Sequence, residues 1–252
     1  MDVESTHRAV EHDAVPPWLA LPADWPSVDD ALLDAAVDLS LAALSTTTAN
    51  PAHRRLARYY DRAGANAAST FLDLEPKEWR NVTATDLVAT SLLDVTFTPH
   101  DVRRLLEPGP SRDRVTTALC ELPDALLATA DTDALAAMGE FYLAVLDAVS
   151  PPERERPDRW VVASKLCARK RPDLYPIRDA GVRELFGTTE YDDHRADWQV
   201  FRHVIAHQDV IHAIDAAHQA AVSESGGNPL DVSRLRLLDV ALFTYRSSPT
   251  EG

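Results

Sequence analysis

Residues 160–187 read W-V-V-A-S-K-L-C-A-R-K-R-P-D-L-Y-P-I-R-D-A-G-V-R-E-L-F-G, and this stretch sets the fold class. Its first part carries small and apolar residues at helical spacing, Pro172 and Pro176 bracket a turn, and a second helix opens at Asp179. The Asp179 carboxylate is expected in the first turn of that helix, where free N–H groups and the helix dipole stabilise its charge. The same stretch holds Lys165 and Lys170, two of the three lysines in the chain. From Glu153 to Arg183, nine basic residues face five acids, in a protein whose net charge is −15.

Outward from this segment, helical periodicity continues. Ser27 is a candidate N-cap for a helix that Asn50-Pro51 breaks, and a second helix runs on until Gly64. Thr83 and Asp86 have capping-box spacing, and Thr98-Pro99 starts a helix that ends before Pro108. Further helices fit 111–122, 131–149, 158–170 and 178–186, with one or two more in 193–222 and a last one beginning near Asp231. Only L-L-D-V-T-F-T, 92–98, hints at a strand. The reading is all-α, a compact globule of about nine helices. An irregular Pro-rich segment at 1–26, with Trp18 and Trp25 as anchors, precedes two helical lobes at 27–150 and 151–246, and 247–252 form a tail.

Composition narrows the function classes. The 252 residues suffice for a large core, and the acidic balance disfavours indiscriminate binding to phosphate backbones or anionic membranes. No apolar run reaches membrane-spanning length, and the N-terminus lacks a signal-peptide pattern, so a cytoplasmic protein without membrane attachment is expected. Cys120 and Cys167 sit among apolar neighbours and are expected to be buried and reduced. No Walker loop, dinucleotide fingerprint or G-x-S-x-G occurs, and no cofactor is expected.

Two segments carry candidate chemistry. The basic island is either an anion site, with Lys165, Arg169, Lys170, Arg171 and Arg178 as contacts, or a set of internal ion pairs. Asp179 is either a helix cap or a fixed carboxylate able to orient water or stabilise a developing cation. The second segment is H-V-I-A-H-Q-D-V-I-H-A-I-D-A-A-H, 203–218. On one continuous helix, His203, His207 and His218 would share a face; it lacks the H-E-x-x-H glutamate, and packing accounts for them without a metal.

The run A-S-K-L-C-A-R-K-R-P-D-L-Y-P-I-R-D, 163–179, followed by V-R-E-L-F-G, resembles the signature of an uncharacterised, mainly actinobacterial family of unknown function. The closing L-R-L-L-D-V-A-L-F, 235–243, resembles that family's last helix. More distantly, the pattern resembles the helix-hairpin-helix DNA glycosylase superfamily, in which a hairpin leads to a helix and then to a turn bearing a catalytic aspartate. That resemblance implies Asp179 as the acid, DNA as a partner, and Trp160 or Tyr175 lining a base pocket. The hairpin position reads R-P-D-R-W without the superfamily's glycines, and the lysine of the lyase-type members would fall near Val161 rather than Lys165. The alternative function is a non-catalytic helical domain that binds a protein partner or a small anionic ligand.

Overall fold

Helix starts in the computed structural model, which describes residues 20–150 and 159–246, fall where side chains satisfy otherwise free N–H groups. Thr83 and Asp86 close a capping box at the start of α4 (Ala84–Ser91), and Thr98 and Asp101 close another at α5 (Pro99–Leu106). Asp29 caps α1 (Asp30–Leu44), two residues later than the expected Ser27. Asp131 caps α7 (Thr132–Val149), and Asp179 caps α9 (Ala180–Phe186). The remaining helices are α2 (Ala52–Tyr59), α3 (Ala68–Asp73), α6 (Pro110–Glu121), α8 (Arg159–Lys170), α10 (His194–Ala206), α11 (Gln208–Glu224) and α12 (Arg234–Arg246).

Among the described residues the fold is all-α, with twelve α-helices rather than nine and no strand. The short α3 lies in a stretch without a sustained apolar period. The 193–222 segment is two helices, because the backbone at His207 is extended at φ −74° and ψ 126°. The alternating stretch at 92–98 is a turn followed by coil, and Asp94 takes φ 58°, which aspartate tolerates better than most residues.

Packing interleaves early and late helices. α2 lies against α11 and α12, α1 against α10, α11 and α12, and α7 against α6 and α8. One apolar cluster runs through these contacts, from Val37 and Leu56 to Leu135, Leu166, Trp198 and Leu238. Trp25 packs on Trp198 with ring centroids 5.9 Å apart; Trp18, the proposed lobe boundary at 151 and the hairpin at 156–158 lie outside the described residues. Among the described residues, no helix is long and apolar enough to cross a membrane.

Helix α8 is fixed by its cations. At its start, Arg159 is ion-paired with Asp101, donates to the Val149 carbonyl at 2.6 Å, and reaches Thr96 O at 3.2 Å. At its end, Lys170 donates to Asp86 Oδ2 and Asn81 O, both at 2.7 Å, and to Glu78 O. Arg169 donates to Asp86 Oδ1 at 3.3 Å, Phe71 O at 2.7 Å and Leu74 O at 2.6 Å. Each capping-box aspartate therefore starts its own helix and also receives α8. Asp86, Asp101, Arg159 and Lys170 are all at most 2% exposed, so these charges have no water to fall back on.

His194 opens α10 and is stacked on Tyr142 at 4.4 Å and edge-on to Trp198 at 4.6 Å. Burial, and then the Arg178 charge, push its pKa down to about 4, while Asp193 acts in the opposite sense. The unfolded histidine takes up its proton near pH 6.5, so the fold loses stability as pH falls from about 6.5 to about 4.

Two measurements follow from this architecture. Asp86→Ala leaves Arg169 and Lys170 without their carboxylate and is expected to lower unfolding free energy by about 3–5 kcal/mol in urea titrations, with the m value unchanged. His194→Phe keeps the ring packing and is expected to remove about 2–3 kcal/mol of the wild-type acid sensitivity between pH 6.5 and 4, read from denaturation midpoints across that window.

Candidate functional site

The turn that carries Asp179 is pinned by three side chains, one on α8, one on α12 and one just before α12. Ser164 Oγ on α8 accepts from the Arg178 N–H at 2.6 Å, and Ser233, just before α12, donates to Pro172 O at 3.2 Å. Asp239 Oδ2 on α12 accepts from the Ile177 N–H at 3.0 Å. Asp179 in turn accepts from the N–H groups of Gly181 at 2.9 Å and Val182 at 3.3 Å, as a helix cap does. Arg246 Nη1 lies 3.6 Å from its Oδ1. A Cβ at position 181 would stand 1.2 Å from that guanidinium, so only glycine lets Arg246 lie across this helix start.

Beneath this turn is a pocket of about 410 Å³ between α2, the 65–68 segment, the end of α4, α8, the start of α9 and α12. Its volume lies within the usual range of small-molecule sites. Tyr59, Phe243, Ile177, Val182 and Val240 give it apolar walls. Its ionisable groups are Asp94, Asp179 and Asp239, with Lys165 and Arg236 opposite in sign. Lys165 Nζ donates to Leu93 O, which the αL turn at Asp94 follows. Burial lowers the Lys165 pKa, and the neighbouring Asp179 and Asp94 charges oppose that shift. A fixed carboxylate beside a partly desolvated ammonium can orient water or stabilise a developing cation.

At the inner end, Asp239 is 6% exposed and Arg236 is 3% exposed. Arg236 Nη1 donates to Asp239 Oδ2 at 2.7 Å, yet Asp239 Oδ1 and Arg236 Nε have no hydrogen-bond partner among the described residues. Burial outweighs the attraction of Arg236 and the Ile177 N–H, and the Asp239 pKa rises to about 7. Burial also raises the Tyr59 pKa, with the Arg236 charge acting against it.

The structure separates the residues of the expected anion site. Lys165 and Asp179 line one pocket, whereas Arg169, Lys170 and Arg178 are buried and engaged inside the protein. Arg178 donates to Asp197 Oδ2 at 2.6 Å and to the Tyr142 hydroxyl at 2.9 Å. Arg171 is half-buried and holds Trp79 O at 2.9 Å and Leu119 O at 3.3 Å. Contact of Arg169, Lys170 and Arg178 with a phosphate is therefore corrected to internal pairing, since leaving a buried carboxylate unpaired would cost more than an exposed contact returns. Tyr175 is corrected from pocket liner to core, 1% exposed, with its hydroxyl donating to Met138 O at 2.8 Å. Trp160 lies under the guanidinium groups of Arg178 and Arg183, at 4.8 and 5.5 Å, away from the pocket.

Other expectations shift as well. His203, His207 and His218 do not share one helix face, because the helix breaks at His207, and no metal-holding group of His, Cys, Asp or Glu occurs among the described residues. Cys167 is buried as expected; Cys120 is exposed, with Sγ 3.6 Å from Arg80 O. The pocket residues that pattern reading passed over are Asp94, Arg236 and Asp239. One signal was present for the last two: a basic and an acidic residue inside the apolar run L-R-L-L-D-V-A-L, where a buried charge needs a reason.

The chain belongs to the family of unknown function DUF6308, whose pattern it matches over residues 52–246. That match includes every pocket residue named above. Comparison with curated proteins and with solved structures gives no match.

The buried Asp239 fixes the sign of a pH effect. Its carboxyl holds a proton up to about 7 in the fold but releases it near 3.8 in the unfolded chain, so its contribution to stability falls as pH rises from about 4 to about 7. Asp239→Asn is expected to lack this slope. The difference between wild-type and variant unfolding free energies, taken at steps from pH 4 to 8, isolates it from the opposite slope of His194.

Proposed function

We propose that the chain binds a small polar ligand with a ring-sized apolar part in the pocket between α2, α4, α8, α9 and α12, with Asp179 as the carboxylate that orients it. The observation that carries this reading is that Asp179 and Lys165 line one cavity of about 410 Å³, each held by a rigid helix or its start. Precise placement of a carboxylate and an ammonium on rigid elements is what recognition of a small ligand requires. With Asp239 titrating at about 7, the remaining Asp94 and Asp179 charges balance Lys165 and Arg236, which favours an uncharged polar ligand over a strongly charged one.

A second reading is base excision, with a nucleobase in the same pocket and Asp179 as the acid. Its support is that Asp179 combines a helix-start position with a place in the pocket, as the glycosylase resemblance implies. The charge distribution weighs against it. Among the described residues, seven buried arginine and lysine side chains exceed five buried aspartates, so the surface is more acidic than the net charge of −15 indicates. Duplex binding draws most of its affinity from exposed cations near phosphates.

One experiment separates the readings. A panel of nucleosides, free nucleobases and other small heterocycles is screened by thermal shift, beside a fluorescence titration with an abasic-analogue duplex at several salt concentrations. The leading reading expects a panel member that at about 100 times its Kd adds about 2.7 kcal/mol, a shift of roughly 5–10 °C, and no duplex binding. Asp179→Asn retains a good N-cap, so its own stability changes by less than about 1 kcal/mol while the ligand shift disappears. Selective, salt-sensitive duplex binding that Asp179→Asn leaves intact while losing base release would favour the second reading. An unchanged ligand shift in Asp179→Asn would remove Asp179 from the site.

A further inference from the structure

The pocket offers a chemical filter at its inner end. Asp239 Oδ2 is taken up by the Ile177 N–H at 3.0 Å and by Arg236 Nη1 at 2.7 Å, but Oδ1 on the same carboxyl has no partner among the described residues. Arg236 Nε, one helical turn earlier, also has none. Both residues line the pocket and both are more than nine-tenths buried; the two unpartnered atoms are themselves closed off from water, so a ligand engages them by turning the two side chains toward the cavity. An acceptor and a donor thus stand on one turn of α12, already joined to each other through Oδ2 and Nη1, and each lacks a second hydrogen bond.

The chemistry of this pair discriminates between ligand classes. Above about pH 7, where Asp239 is ionised, a carboxylate ligand would suit Arg236 Nε but meet the Asp239 carboxylate with like charge. An ammonium would suit Asp239 but would face the Arg236 cation and leave its Nε unmet. A neutral group that presents an N–H donor beside a carbonyl acceptor satisfies both atoms at once. Carboxamides, lactams and imides have that edge, and an attached ring would find the apolar walls of Tyr59, Phe243, Ile177 and Val182.

We infer that Asp239 and Arg236 form the recognition floor of the pocket and select a ring-bearing ligand through an amide-type edge, carboxamide, lactam or imide. This inference rests on the small-ligand reading of the pocket and assigns that ligand its chemical class. It gives α12 a recognition role separate from that of Asp179, which lies on a different element.

The test uses the full chain and three probes of nearly equal size: benzamide, N,N-dimethylbenzamide and benzoate. Affinities are measured at pH 8, where Asp239 is ionised, by ligand-observed NMR, and ring position by NOEs to the methyl groups of Ile177 and Val182. The expected result is that benzamide binds with NOEs to both residues, and that the dimethyl analogue and benzoate bind at least tenfold more weakly. Asp239→Asn keeps side-chain size; its carbonyl is held by the N–H groups of Ile177 and Arg236, so its amide N–H faces the free position, and it is expected to lose the preference for benzamide over its dimethyl analogue. The wild-type comparison among probes stands even if Asp239→Asn unfolds. Equal binding of benzamide and its dimethyl analogue, with the ring still at Ile177 and Val182, overturns the inference and leaves the pocket reading standing. A preference for benzoate overturns it in favour of an anion site, and absence of any NOE at the pocket overturns both.

Discussion

Two aspartates, Asp86 and Asp101, hold this structure in register. Each occupies the third position of a helix and closes a capping box, and each then receives a buried cation from α8. Local and long-range demands thus meet on single carboxylates. A capping box alone is worth about 1 kcal/mol, whereas removing one partner from a buried charge pair costs about 3–5 kcal/mol. The helix starts at 84 and 99 therefore do more than begin helices: they locate α8 along its length. The cost of burying these cations is offset by completeness, since Lys170 alone satisfies two carbonyls and a carboxylate.

That placement carries through to the pocket. With α8 clamped at both ends, Lys165 in its middle is aimed at the turn after α4, and Ser164 beside it holds the Arg178 N–H. The turn bearing Asp179 thus inherits its position from α8 on one side and from α12, through Asp239 and Ser233, on the other. Cap and candidate ligand-binding group are therefore compatible roles for Asp179. The two N–H groups it accepts fix its orientation, while the side chain still lines the cavity.

What could be read from sequence was what depends on near neighbours. The capping boxes at Thr83/Asp86 and Thr98/Asp101, the Pro-bracketed turn and the helix start at Asp179 are patterns spanning a few residues, and they mark the chain directly. The role of the basic island was not readable in this way. Arg169 and Lys170 find their carboxylate 83 and 84 residues earlier in the chain, and most of their other acceptors are backbone carbonyls, which leave no mark on composition. The break at His207 was hidden for a related reason: the apolar period continues on both sides of it, and no proline or glycine announces it. Asp239 reads from sequence as an interruption in an apolar run, but only the packing shows that one of its oxygens is used and the other is not.

The contrast between α8 and α12 gives the pocket its meaning. On α8 the buried cations Arg159, Arg169 and Lys170 each find several acceptors inside the protein, which is how buried charge is ordinarily tolerated. On α12 the pair of Arg236 and Asp239 is only partly served, and the two unused atoms belong to residues that line a cavity. Unpartnered nitrogens also occur on His53, Arg55, His194 and His207; none of these residues borders this cavity, although His194 lines another. An incompletely satisfied carboxyl costs stability, and the proposed ligand contact would offset that cost at the cavity. The raised pKa of Asp239 expresses the same deficit: its carboxyl lacks the hydrogen bonds that would hold it ionised, and a ligand donating to Oδ1 would supply one of them.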